Sequence, residues 1–168
     1  TSDFASYPMP SLFLGRNPKL KIIQPPMNTE LAVRFGRKVR DLIADPIYKE
    51  IFPNTDLKPD SQAAGRWETS AGGEYFAAGV GAAMTGRGAD LLIIDDPHSE
   101  QDALSASAYD NAYEWYTSGP RQRLQPGGTI IIVQTRWSKK DITGRLLNAM
   151  SKDMMADQWE VVEFPAIM

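Results

Sequence analysis

The chain has no cysteine and only one histidine among its 168 residues. Disulfides and thiolate metal sites are therefore excluded, and His98, with no Cys or second His to join it, is a poor metal ligand. No apolar run approaches the roughly 18 residues of a membrane span, and no signal peptide is visible. An overall basic field is missing as well. The net charge is −3 and the sequence pI about 5.2, so bulk electrostatics do not advertise nucleic-acid binding. What the chain does have is 42% hydrophobic residues, enough for one sizeable core, and a single domain over residues 1–168 is expected. It starts without Met and ends in Ala-Ile-Met straight after a strand-like run, so it reads as a piece of something longer.

The most informative stretch is Ala89-Asp90-Leu91-Leu92-Ile93-Ile94-Asp95-Asp96-Pro97-His98. Its four central apolar residues, two of them β-branched, suit a strand buried on both faces of a parallel sheet. The strand ends in two carboxylates, and ligand chemistry in open α/β sheets sits beyond the carboxyl ends of strands. Two adjacent acids make sense there if they do different jobs. Mg²⁺ wants oxygen ligands, keeps several waters and needs only one carboxylate beside substrate phosphates. A second carboxylate can orient or deprotonate an attacking water. Successive strand residues point to opposite sides, and Pro97 is expected to hold Asp96 in the extended region, so the pair should be splayed. Taken alone, the same pattern also suits a strand followed by an Asp-rich cap or turn.

The remaining elements alternate. Residues 2–14 suit a helix broken or kinked by Pro8 and Pro10, and Leu14-Gly15-Arg16-Asn17-Pro18 a turn before a short strand at 20–24. After Pro25-Pro26, Asn28 or Thr29 caps a helix with Leu31, Phe35, Val39, Leu42 and Ile43 on one face. Arg34, Arg37 and Arg40 form a basic flank, better read as a solvated face than as a phosphate contact. Residues 44–64 read as a loop-rich connection with a short turn near 47–52, and 66–69 with 74–80 as a β-hairpin. The aromatic stripe Tyr109, Ala112, Tyr113 and Tyr116 in helix 105–118 is a core stripe before it is a base-stacking platform. Pro126-Gly127-Gly128 turns into a second buried strand at 129–134, followed by helix 139–150 and a final strand at 159–164. Such alternation predicts α/β with a mainly parallel sheet flanked by helices.

Several stretches in collinear order together resemble the ATPase domain of the phage terminase large subunit, a DNA-packaging motor. They are Phe13-Leu14-Gly15-Arg16-Asn17-Pro18, Phe35-Gly36-Arg37-Lys38-Val39-Arg40, Thr85-Gly86-Arg87-Gly88-Ala89-Asp90, the Leu91 to Pro97 strand, Glu114-Trp115-Tyr116 with Arg123-Leu124, Pro126-Gly127-Gly128, and Thr135-Arg136-Trp137. The resemblance implies a P-loop NTPase of the ASCE, RecA-like class, incomplete at its N-terminus. Asp95 then matches the Walker B position serving Mg²⁺ and Asp96 the catalytic carboxylate, one methylene shorter than the Glu of many such motors. Thr135 matches the coupling motif that senses the γ-phosphate, and also suits a plain helix cap. Arg87, in its Gly-flanked loop, matches an arginine finger, a device worth about 10³–10⁵ in rate, and also suits a flexible turn with a solvated charge. Arg66, Arg121, Arg123 and Arg136 are weaker candidates.

The departure lies at the start. A P-loop needs Gly-rich backbone, a Lys and a Ser/Thr on Mg²⁺, whereas here only Thr1-Ser2 stands before Asp3. The spacing puts Ser2 at the Mg²⁺-ligand position and Thr1 where Lys is expected; a shift by one makes Thr1 the ligand. The resemblance implies ATP and Mg²⁺ as cofactors, and double-stranded DNA, a portal protein, a small terminase subunit and a homo-oligomeric ring as partners. It also implies a place in the host cytoplasm, transiently at the procapsid portal, with no membrane. Two rival readings remain, a helicase-like ASCE translocase and a catalytically inactive prophage remnant.

Overall fold

The computed structural model of the chain describes residues 2–25, 29–77, 86–102 and 105–164. The proline-broken start resolves into two helices, α1 (Ser2–Ser6) and α2 (Pro8–Arg16). Pro8 occupies the first turn of α2, where its missing N–H costs nothing. The helix runs through Gly15, and the turn expected from Leu14 begins only at Asn17, whose N–H bonds Phe13 O at 2.9 Å. Strand β1 (Lys21–Ile23) follows, then α3 (Thr29–Ala44) and α4 (Pro46–Ile51), the last capped by Asp45, which accepts from the Ile47 N–H at 2.8 Å.

Residues 57–63, expected to be loop, form strand β2 (Leu57–Ala63). It pairs antiparallel with β3 (Arg66–Thr69), which pairs antiparallel with β4 (Glu74–Phe76), Trp67 opposite Tyr75. β2 lies at the sheet edge, mostly exposed and carrying Pro59, so it shows none of the apolar alternation that marks a half-buried strand. Most of the Gly-rich run before the central strand, and the end of the expected 74–80 strand, lie outside the described residues.

The central strand β5 spans Ala89–Asp95, α5 Ala106–Ser118, β6 Leu124–Val133 and α6 Ile142–Lys152. β6 begins five residues before the strand expected at 129. Pro126-Gly127-Gly128 forms an irregularity within it, with Gly127 at φ +79° and a register shift between Ala89 and Leu91 of the partner strand. The expected strand over 159–164 is absent: that segment is irregular, and the Trp159 N–H turns to Met150 Sδ. The sheet order is β2-β3-β4-β1-β5-β6, with β1, β4, β5 and β6 mutually parallel.

β5 is buried on both faces, as its continuous apolar run requires. Leu91 and Ile93 point into a layer with Leu14 of α2, Val39 and Ile43 of α3, Tyr48, and Trp67 stacked on Tyr75 at 4.9 Å. Leu92 and Ile94 point into the opposite layer with Ala112 and Tyr116 of α5 and Ile142 and Leu146 of α6. Tyr109 is buried with Ala112 and Tyr116, and Tyr113 is half-buried beneath the Arg145 guanidinium, so the aromatic stripe is core. Leu31, at the start of α3, is the exception on its apolar face; it remains exposed.

Candidate functional site

The parallel strands β1, β4, β5 and β6 end on one side of the sheet, and there the two carboxylates part. Asp95 lies on the α2/α3 face and accepts from the Ser6 hydroxyl of α1. Ser6 is fully buried; its carbonyl accepts from the Gln24 side chain at 3.5 Å, and Gln24 in turn accepts from the Tyr75 hydroxyl at 2.9 Å. Burial pushes the Tyr75 phenol well above its usual range, which keeps it a neutral donor. Asp95 therefore sits at the end of a buried polar chain that crosses β1 to β4. Ser6 carries no motif signal of its own. Its position one helical turn beyond Ser2 was the only hint available.

Asp96 turns the other way. Its N–H bonds Val133 O at 2.8 Å, and its Oδ1 accepts from the Thr135 N–H at 3.2 Å. The splay expected of the pair is present, but the extended backbone expected from Pro97 is not. Asp96 has φ +42°, the one positive-φ residue other than glycine among those described. Two hydrogen bonds to the end of β6 hold it there, and a short polar side chain tolerates the left-handed region better than most. Such outliers persist where the surroundings over-determine them.

Thr135 lies exposed beside Asp96, and a cleft of about 400 Å³ opens between the start of α3 and the ends of β5 and β6. Leu31, Asp96, His98, Ser99, Thr135 and Trp137 are among its walls. Past Thr135 the chain is gathered by Asp141, the N-cap of α6. Its Oδ1 accepts from the Gly144 N–H at 2.8 Å, and its Oδ2 from the Trp137 and Ser138 N–H groups, each at 3.2 Å, and from Arg136 Nε at 3.0 Å. Desolvation pulls the buried carboxyl upward, but these donors together outweigh it and hold Asp141 below the usual carboxylate range. Arg136 is thereby committed to Asp141, and Arg121 to Asp157 through two contacts at 2.7 and 2.8 Å.

His98 is buried, and its Nε2 accepts from the Ile142 N–H of α6 at 3.1 Å. Burial lowers its affinity for a proton; Asp141 and Asp102 oppose this, and Arg145 adds to it. The ring meets Tyr109 edge-on at 5.0 Å.

Arg87 is placed elsewhere. It pairs with Glu74 and lies over the Phe76 ring at 4.5 Å, on β4. Phe76 is level with Ile23, and Ile23 with Leu92. Three residues of rise and two strand spacings then separate it from Asp95, on the order of 15 Å. The structure brings Asp95, Asp96 and Thr135 together and leaves Arg87 apart from them in the same chain. Ser2 opens α1, but its side chain and the whole of Thr1 lie outside the described residues. Among the described residues no group of three or more His, Asp or Glu could hold a metal by itself. Asp95 and Ser6 supply oxygens of the kind Mg²⁺ takes, but Ser6 is fully buried and its hydroxyl is committed to the Asp95 carboxylate.

No family model matches the chain, and none of the curated proteins does. Among solved structures it is similar to the HK97 bacteriophage large terminase, at 15% identity and a TM-score of 0.44. The likeness covers 79% of this chain and 26% of that one, so the chain spans about a quarter of that protein's length.

Proposed function

We propose that this chain is the nucleotide-hydrolysing part of a viral DNA-packaging motor that uses ATP with Mg²⁺ to translocate double-stranded DNA into a procapsid. The observation that carries the reading is the split pair at the end of β5, Asp95 bonded to Ser6 and Asp96 held at positive φ by the end of β6. The collinear motif set named above supports the same assignment.

In this reading Asp95 and the Ser2 hydroxyl of α1 would hold Mg²⁺, which would neutralise phosphate charge. Asp96 takes the proton of the attacking water, its carboxylate aimed by the Thr135 N–H. Because Asp96 and Thr135 share a hydrogen bond, a change at one is felt at the other, and the β6–α6 connection is the natural route from hydrolysis to movement. Arg87, which precedes the first residue of β5 and lies over Phe76, on the order of 15 Å from Asp95 by strand geometry, would serve the site of a neighbouring subunit in a ring. A small terminase subunit and a portal protein are the proposed partners, and the host cytoplasm the proposed compartment.

The test is made in the complete polypeptide that contains this chain. Asp96→Asn should abolish ATP hydrolysis and leave nucleotide binding within a few-fold, and Asp95→Asn should weaken Mg²⁺-dependent binding. Equal hydrolysis rates for wild type and Asp96→Asn would sink the assignment.

A further inference from the structure

We infer that His98 is a positioning residue that ties the carboxylate turn to the N-terminus of α6, so that the turn and the helix move as one body. Three observations meet on it. His98 follows Asp96 by a single proline, so its backbone has little freedom relative to the carboxylate. Its Nε2 accepts the first amide of α6, Ile142 N–H at 3.1 Å, a donor that no residue inside the helix can satisfy. Its ring is buried against Tyr109 of α5 and lines the same cleft as Asp96 and Thr135.

The bond fixes the ring's chemistry. An imidazole nitrogen that accepts from an amide carries no proton, so the proton of neutral His98 resides on Nδ1. The α6 N-terminus is thus held from two directions. Asp141 caps it from the β6–α6 connection through Gly144, and His98 caps it from the β5 turn through Ile142. Asp141 reaches back to Trp137 and Ser138, and Asp96 bonds Thr135, so the two caps close a ring of contacts around the cleft. Opening the His98 link frees the carboxylate turn from the helix while leaving the Asp141 cap in place. The catalytic consequence rests on the ATPase reading above; the mechanical link does not.

Amide hydrogen exchange on the full chain tests the link. His98→Phe keeps a planar ring and removes the acceptor, whereas His98→Gln keeps an acceptor at nearly the same reach. In His98→Phe, exchange should accelerate about tenfold at the amides of Ile142, Asp96 and Thr135, with Leu92 and Ile93 unchanged, and His98→Gln should restore most of the protection. Should His98→Phe not fold, His98→Leu removes the acceptor with a smaller apolar side chain, and the same two remote amides should respond. Acceleration confined to Ile142 would reduce His98 to a local cap and overturn the proposal, as would failure of His98→Gln to restore protection. In the complete protein the link should appear as a roughly tenfold fall in kcat for ATP with KM within about twofold, since positioning acts after binding. Absence of any wild-type hydrolysis would count against the ATPase reading alone, because the exchange result is read independently of it.

Discussion

The backbone of Asp96 offers a test that separates architecture from chemistry. At φ +42° an alanine would bear about 1–2 kcal/mol of left-handed strain that Asp and Asn largely escape through local hydrogen bonding. Alanine also loses the bond from the Thr135 N–H, a further cost of about 0.5–1 kcal/mol at this exposed position. Asp96→Ala should therefore destabilise by about 2 kcal/mol, and at the usual 2–4 °C per kcal/mol for a chain of this size its Tm should fall by about 4–8 °C. Asp96→Asn keeps both the acceptor and the tolerance and should melt within about 1 °C of wild type. Asp96→Gly escapes the strain, loses the acceptor and gains unfolded-chain freedom, so it should fall between them, near 1 kcal/mol. Thermal unfolding of the three variants by circular dichroism is the assay. If Asp96→Ala and Asp96→Asn melt together, the positive φ is not a strained feature held by β6, and the argument from it fails.

Two further outcomes test the frame around the site. Gly36→Ala would place a Cβ 2.1 Å from Ala64 O, a backbone atom, while the Gly36 carbonyl accepts the Trp67 indole N–H at 3.0 Å; denaturant unfolding should show a loss of at least about 2 kcal/mol from forcing α3 off the β2–β3 turn. Asp141→Asn keeps a capable N-cap but removes the charge, so it should cost about 1–2 kcal/mol at pH 7. Because the folded carboxyl of Asp141 lies below its unfolded value, that contribution is whole above about pH 4 and disappears as pH falls through the folded value. The variant and wild-type stabilities should therefore converge in acid, and a gap that stays constant down to pH 2 would overturn the charged role.

Much of this was legible where one pattern had one physical cause. The run Leu91 to Ile94 announced a strand buried on both faces, and both layers of the core meet on it. The Tyr109, Ala112 and Tyr116 stripe announced core. Failures came where context overrode local chemistry. β2 has a proline and an exposed, polar edge, so nothing in its residues distinguishes it from loop; only pairing with β3 makes it a strand. Trp159 to Phe164 has the composition of a strand, yet adopts none. Pro97 pointed Asp96 to the extended region, and the bonds it donates to Val133 O and accepts from the Thr135 N–H hold it out of it. Ser6 and His98 were out of reach of sequence reasoning for a related cause. A buried hydroxyl and a lone histidine gain roles only from the side chains the fold lays against them.

The two layers of the core differ in a way that bears on which part of the site can move. On the α2/α3 face the largest buried polar side chains find protein partners: Trp67 on Gly36 O, Tyr75 on Gln24, Tyr48 on Ser11 O at 2.7 Å. On the α5/α6 face the indole nitrogens of Trp115 and Trp159, the Tyr116 hydroxyl and both amide atoms of Gln134 are buried with no protein partner among the described residues. Each such group costs about 1–3 kcal/mol unless water reaches it, so this layer must admit water or loosen. Amide exchange should therefore be faster on α5 and α6 than on α2 and α3, and equal protection of the two faces would refute this. Asp95 is anchored on the α2/α3 face through Ser6, whereas Asp96, Thr135, His98 and α6 belong to the α5/α6 one. In the ATPase reading Asp95 would stay still while Asp96 and α6 shift together, and the split of the two acids across the sheet would place the boundary between the two halves at the peptide bond joining Asp95 to Asp96.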